Sequence, residues 1–399
     1  MLRSLVFPWF GLAGIAWLLG VGPLGPASPA AAQDRPAPSA GERAQPPIDF
    51  QRARALMQKR NRGEALTPEE AASLERALAA RRAGAPGAPG SGQRRIPGAP
   101  RESTGLIPLT EMSADDRYEG QDGGLYGQGR NTPPEALRTA ALHELQQIVP
   151  RDREGRPSPE GKIVFISISM SNATQEFSRF KQLSDQDPQR NPHVVVVDCA
   201  QGGQAMAEWA PRDARPWTVA LQRLEQAGVT PPQVQVAWVK LANKGPQGSL
   251  EEHGRKLQRD TQQVLQNARE RFPNLRIVYL GSRIYGGYSA GALNPEPYAY
   301  ESAFVVRWLI DAQSRGEPEL NWEASRGEVR APLLLWGPYL WGDGATPRKS
   351  DQLVWLREDF AGDGTHPSAS GRDKVARMLL EFCRQDPLAR TWYTGQPAP

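Results

Sequence analysis

The chain has little of what metal chemistry and disulfide scaffolds need: two cysteines and four histidines in 399 residues. Two thiols, Cys199 and Cys383, do not make a disulfide framework, and whether they pair in an oxidising compartment cannot be read from spacing. His366 has no second histidine at i+4 or i−4, so no metal is expected at the residues discussed below. Neither 123–127, rich in glycine, nor 294–298 has the spacing of a phosphate-binding loop, so no nucleotide cofactor is expected. Beyond the N-terminus no segment is long and apolar enough to span a bilayer.

What is abundant is glycine and proline, 39 and 37 residues, too many for the whole chain to pack regularly. Arg3 is followed by an uncharged stretch up to Asp34, with an apolar centre over 10–21 and the small-residue run Pro29, Ala30, Ala31, Ala32. That layout predicts a signal peptide over 1–32 and a secreted or periplasmic protein. An uncleaved membrane anchor is the alternative, but Pro8, Gly22, Pro23, Gly25 and Pro26 interrupt the stretch.

Charge is short where nucleic acid would need it. Residues 33–102 carry 13 Lys and Arg against 8 Asp and Glu, whereas from Ser103 onward 34 basic face 36 acidic residues. The basic pI therefore belongs to the tail, and no nucleic-acid partner is expected for the folded part. The tail, 33–105, reads as mostly disordered, with short solvated helices over 49–62 and 67–82, the second opened by Thr67 and Pro68. Such a tail has the charge to tether the domain to an acidic envelope polymer.

From Leu106 to the C-terminus apolar runs recur at 163–168, 194–197, 234–239, 277–280 and 333–336, with helical patterns over 217–226, 250–271, 298–313 and 370–383. Short β-branched runs alternating with helices predict a three-layer α/β/α sandwich over 106–399 with a mainly parallel five-stranded sheet. Ligands in such sheets bind beyond the carboxyl ends of the strands.

The first run ends in Ser169, Met170, Ser171, Asn172, and a helix follows at once. A serine hydroxyl needs a base to become a nucleophile, and the base needs an orienting group. His143, His193 and His253 read as surface residues. His366 differs, because Asp363 stands three residues before it on a glycine-bearing loop ahead of the final helix. That tetrapeptide also reads as a turn and helix start, and Ser171 as a helix cap.

Taken together, these blocks resemble the SGNH (GDSL-like) hydrolases over about 161–384, with Ser171-Asn172 similar to the first block of carbohydrate O-acetylesterases. The resemblance implies Ser171 as nucleophile, His366 as base and Asp363 as its orienter. It implies oxyanion donors in the Ser171 amide, a glycine amide after the second strand, Gly202 preferred over Gly203, and the Asn243 side chain. Ser169 and Met170 depart from the family pattern, and no Gly-x-Asn-Asp string surrounds Asn243. Asn172, Arg283 and Tyr285 are the expected substrate contacts, with the aromatics of 281–288 and 336–341 available to stack on sugar rings and arginine to hold carboxylate or sulfate.

The expectation is thus an exported serine esterase removing small acyl groups, acetyl foremost, from a small-molecule or carbohydrate ester. The competing reading is a protein of the same fold that binds glycans or acts as a scaffold without catalysis.

Overall fold

The computed structural model describes residues 52, 53, 56, 59, 65–82 and 100–396. They fall in two compact units, one within 1–91 and the other within 92–399. The expected signal peptide lies outside the described residues, as does most of the helix expected over 49–62.

In the first unit, Pro68–Arg82 forms helix α1. Thr67 Oγ1 accepts the Glu70 amide at 3.2 Å while the Glu70 carboxylate accepts the Thr67 amide at 2.9 Å, a reciprocal cap. Ala53, Leu56, Leu74 and Ala77 bury one another with Leu66 packed alongside, and Lys59 pairs with Glu70 at 2.9 Å. Burying each leucine contributes roughly 1.5–3 kcal/mol. The described part of the tail therefore has a small apolar cluster, where composition pointed to a solvated spacer.

The second unit is built on a five-stranded sheet: β1 (Ile163–Ile168), β2 (Val194–Val197), β3 (Val234–Lys240), β4 (Ile277–Gly281) and β5 (Leu333–Trp336). All neighbours are parallel and the order is β2-β1-β3-β4-β5. Phe165 lies beside Val196 on one flank and Val236 on the other. Every residue of β1 and β3 is buried, which is why both are mainly apolar on both faces, with Ser167, Gln235 and Lys240 the buried polar exceptions.

Helices α2 (Glu135–Gln146), α3 (Ser171–Asp185), α4 (Met206–Trp209), α5 (Arg215–Gln226), α6 (Leu250–Arg271), α7 (Tyr298–Ser314), α8 (Ala369–Gln385) and α9 (Arg390–Thr394) complete the unit. α3 packs on α8, and its Phe177 and Phe180 meet Phe165 of β1 with ring centroids 5.1 and 5.8 Å apart. α6 packs on α7, giving the other helical layer. The protein is thus an α/β fold of the flavodoxin-like strand order, reversing direction at β1, and the loops after β1 and β3 face one crevice at their carboxyl ends.

Two expectations are corrected here, and one question left open by the sequence is answered. His253 is buried in α6, its Nε2 bonded to the Glu301 carboxylate, which also accepts from the Tyr118 hydroxyl at 2.6 Å. The Glu- and Lys-rich start of α6 concealed this, because His253 lies on the helix's inward stripe with Leu250, Gly254 and Leu257. The folded unit also begins before Leu106: Asp343 accepts from the Thr104 amide at 2.7 Å, the Gly105 amide at 2.9 Å and the Ser103 hydroxyl at 2.5 Å. Finally, Cys199 and Cys383 are both free and buried.

Candidate active site

Met170, in extended conformation, is the N-cap of α3, so Ser171 is the helix's first residue rather than its cap. Its hydroxyl is not spent on the helix and lies 2.8 Å from His366 Nε2. The first amides of α3, those of Ser171, Asn172 and Ala173, have no intrahelical acceptor, and the helix dipole adds partial positive charge at the same place.

On the other side of the imidazole, His366 Nδ1 is 2.5 Å from Asp363 Oδ2. Asp363 Oδ1 accepts the Thr365 and His366 amides, each at 3.0 Å. Burial works against its ionisation, but the His366 ring and these two amides outweigh it and hold the carboxyl well below the usual carboxylate range. Asp363 is therefore an anion at neutral pH, the state that keeps the proton on Nδ1 and leaves Nε2 a lone pair toward Ser171.

The loop carrying this pair is fixed from several directions. Gly364 has φ +64°, and a Cβ there would sit 1.7 Å from the Tyr288 carbonyl oxygen, so only glycine lets the two loops touch. The Ala290 amide donates to the Asp363 carbonyl at 3.0 Å, and the Ser289 and Thr365 hydroxyls are 2.7 Å apart. Asn172 Nδ2 donates to the Thr365 carbonyl at 2.9 Å. Asn172 is 2% exposed, so it joins α3 to the histidine loop where a substrate contact was expected.

Ser169, one of the two departures from the family pattern, has a structural use. Its hydroxyl donates to the Lys240 carbonyl, and its own carbonyl accepts the Gln201 amide at 2.9 Å and Trp209 Nε1 at 3.2 Å. The ends of β1 and β3 and the loop after β2 are drawn together at that point. Asp198, at the end of β2, is a junction that sequence reading missed: it accepts from Ser167 at 2.6 Å, Ser178 at 2.8 Å and the Thr174 hydroxyl. Its spacing from those three residues carried no recognisable signal.

The expected oxyanion donors are less uniformly placed. Gly202 and Gly203 lie exposed on the loop after β2, and their amides make no hydrogen bond among the described residues. Asn243 is largely occupied, its Oδ1 accepting the Ala207 amide at 2.9 Å and its Nδ2 donating to Asp260 at 2.6 Å. A carboxamide has two N–H donors, so one remains.

Of the remaining expected contacts, Tyr285 is 1% exposed and its hydroxyl donates to the Arg101 carbonyl at 2.7 Å, so it holds the incoming chain and not a ligand. Tyr288, Trp336, Tyr339 and Trp341 are likewise buried, which removes them as stacking faces for sugars; long apolar side chains under loops were filling the core. Arg283 is buried too, its Nε without an acceptor among the described residues.

No protein-family model and no curated protein matches the chain. Among solved structures it is similar to a Bacillus subtilis protein at 13% identity, covering 59% of this chain, with a TM-score of 0.30. The chain spans 59% of that protein's length. It is similar to the periplasmic domain of a lipopolysaccharide acetyltransferase from Salmonella Paratyphi A at 12% identity, over 63% of this chain and 97% of that one, TM-score 0.30. An extracellular lipase from Streptomyces rimosus is similar at 12% identity, over 55% of this chain and 99% of the lipase, TM-score 0.27.

Proposed function

We propose that the protein is a serine ester hydrolase of the SGNH type. The observation that carries this reading is the continuous chain Ser171 Oγ, His366 Nε2, His366 Nδ1, Asp363 Oδ2, with contacts of 2.8 and 2.5 Å. Ser171 Oγ attacks the ester carbonyl as His366 takes its proton. His366 then returns that proton to the leaving alcohol. Water, activated by the same imidazole, releases the acid from Ser171, while Asp363 stabilises the imidazolium in both halves. The negative charge on the carbonyl oxygen is met by the Ser171 amide at the start of α3, with the unbonded Gly202 amide and the spare N–H of Asn243 as the further donors.

The acyl group is proposed to be small, acetyl foremost, on a carbohydrate made outside the cytoplasm. The Ser171-Asn172 pair and the N-terminal sequence support that part. A second reading, a glycan-binding protein that keeps this fold without turnover, is favoured by the commitment of Asn243 to Ala207 and Asp260.

Hydrolysis of p-nitrophenyl acetate and acetylated xylan by the wild type, Ser171→Ala and His366→Ala separates the two. The hydrolase reading expects turnover in the wild type and a loss of roughly 10⁴-fold or more in both variants. Turnover that survives in Ser171→Ala would remove Ser171 as nucleophile.

A further inference from the structure

Arg283 follows Gly281 by two residues, at the carboxyl end of β4. It is 3% exposed, and burial pulls its pKa below the ordinary arginine value, though a guanidinium stays charged in proteins. Its backbone amide is satisfied by Ser302 Oγ at 2.9 Å. Its side chain is not: Nε is buried without an acceptor, and neither terminal nitrogen donates to any described residue. Since Nε is sealed, the terminal nitrogens are the part of the head group that meets solvent.

Three carboxylates act on Arg283 through space, those of Glu176, Glu296 and Asp363. Each is already engaged. Glu176 is paired with Lys240 Nζ at 2.6 and 2.7 Å. Glu296 accepts the Gly286 amide at 2.7 Å, Trp341 Nε1 at 2.8 Å and the Tyr300 amide at 3.0 Å. Asp363 is held by His366 and Thr365. A second cation, Lys240, lies close enough to feel Arg283. A buried guanidinium left with its donors unused is costly, and a fold keeps such a group where something else supplies the acceptor.

We infer that Arg283 is a subsite for a carboxylate of the substrate, placing the ester of an acidic sugar, a uronic acid, against Ser171. Only the tips of the fork are open, which suits a planar carboxylate approaching edge-on with two parallel hydrogen bonds. The inference rests on the hydrolase reading for its ester, but not for its anion. A carboxylate on the acyl group instead of the sugar would present the same chemistry.

The test uses the full chain, and reads ratios so that a general loss of activity does not enter. kcat/KM is compared for O-acetylated oligogalacturonate against O-acetylated xylo-oligosaccharide, and for p-nitrophenyl succinate against p-nitrophenyl acetate. The wild type is expected to favour the acidic member of the first pair by roughly 100-fold. Arg283→Met should bring that ratio near one, and Arg283→Lys, a cation without the fork, should keep part of it. A preference in the second pair alone would place the carboxylate on the acyl group and retain the subsite. In parallel, galacturonate and succinate are titrated calorimetrically into wild type and Arg283→Met. Binding lost in the variant while no ester is hydrolysed at all would sink the hydrolase and leave the subsite standing. Ester hydrolysis with no acidic preference in either pair, and no carboxylate binding that depends on Arg283, would overturn the subsite and leave the hydrolase.

Discussion

Lys240, the last residue of β3, and Glu176 of α3 form an ion pair with both side chains fully sealed from solvent, Nζ lying 2.6 and 2.7 Å from the two carboxylate oxygens. The pair sits five residues along the helix from Ser171 and ties α3 to the centre of the sheet. Because the Lys240 carbonyl also accepts from Ser169, one residue anchors both the strand end and the helix that begin the Ser171 turn. Burial pushes the Lys240 ammonium down to about 8 even with Glu176 beside it.

Removing one partner strands the other as a buried charge. Lys240→Met or Glu176→Gln alone is expected to cost about 3–5 kcal/mol of folding stability, whereas the double change Lys240→Met with Glu176→Leu should recover most of it. Urea denaturation of the three variants measures this; equal losses in the double and single variants would mean that packing, not charge, dominates.

Asp363→Asn keeps the loop but removes the anion that sets the imidazole's tautomer. A fall in kcat of about 10⁴-fold is expected with little change in KM. Its folded-state pKa is depressed, so its contribution to stability is present above the unfolded value near ~3.9 and is lost as pH falls through the lower folded value. Thermal melts from pH 2 to 7 should therefore show wild type and variant converging toward the acid end.

Glu296 has the opposite sign. Its burial raises the carboxyl to about 7, against the hydrogen bonds from Trp341, Gly286 and Tyr300. The stability this group contributes is present below the unfolded value near ~4.3 and is lost as pH rises through about 7. Glu296→Gln, which cannot ionise, should flatten that part of the stability curve. A profile identical to wild type between pH 4 and 8 would place the titration elsewhere.

Asp343 holds residues 103–105 against the loop that carries Tyr285, whose hydroxyl binds the Arg101 carbonyl. Gly287, in turn, accepts the Arg101 amide at 2.9 Å, one residue from the Tyr288 carbonyl against which Gly364 packs. Asp343→Ala should speed amide hydrogen exchange at 101–105 and lower kcat by a measurable factor, about 3- to 10-fold, since four hydrogen bonds to a charged acceptor are lost. Unchanged exchange there would show that the strap is held by its backbone contacts alone.

Much of this was legible in the order of residues. The five strands needed no tertiary knowledge, because a buried parallel strand is mainly apolar on both faces, as 333–336 is throughout and 163–168 is but for Ser167. Asp363 and His366 were legible because three residues and a glycine suffice to bring two side chains together. His253, Tyr285 and Trp341 were misread for one shared reason: local composition reports what a residue can do, while burial depends on what distant segments bring to it.

Periodicity and local sterics account for the sheet, the helices, and the short-range geometry of the Asp363–His366 loop. Tertiary contacts alone bring Ser171 to His366 across 195 positions, draw Asn243 to Ala207 and Asp260, and seal Arg283 Nε from water without an acceptor among the described residues. Those outcomes turn on desolvation and hydrogen-bond competition between segments far apart in the chain, and neither is encoded in any one stretch of it.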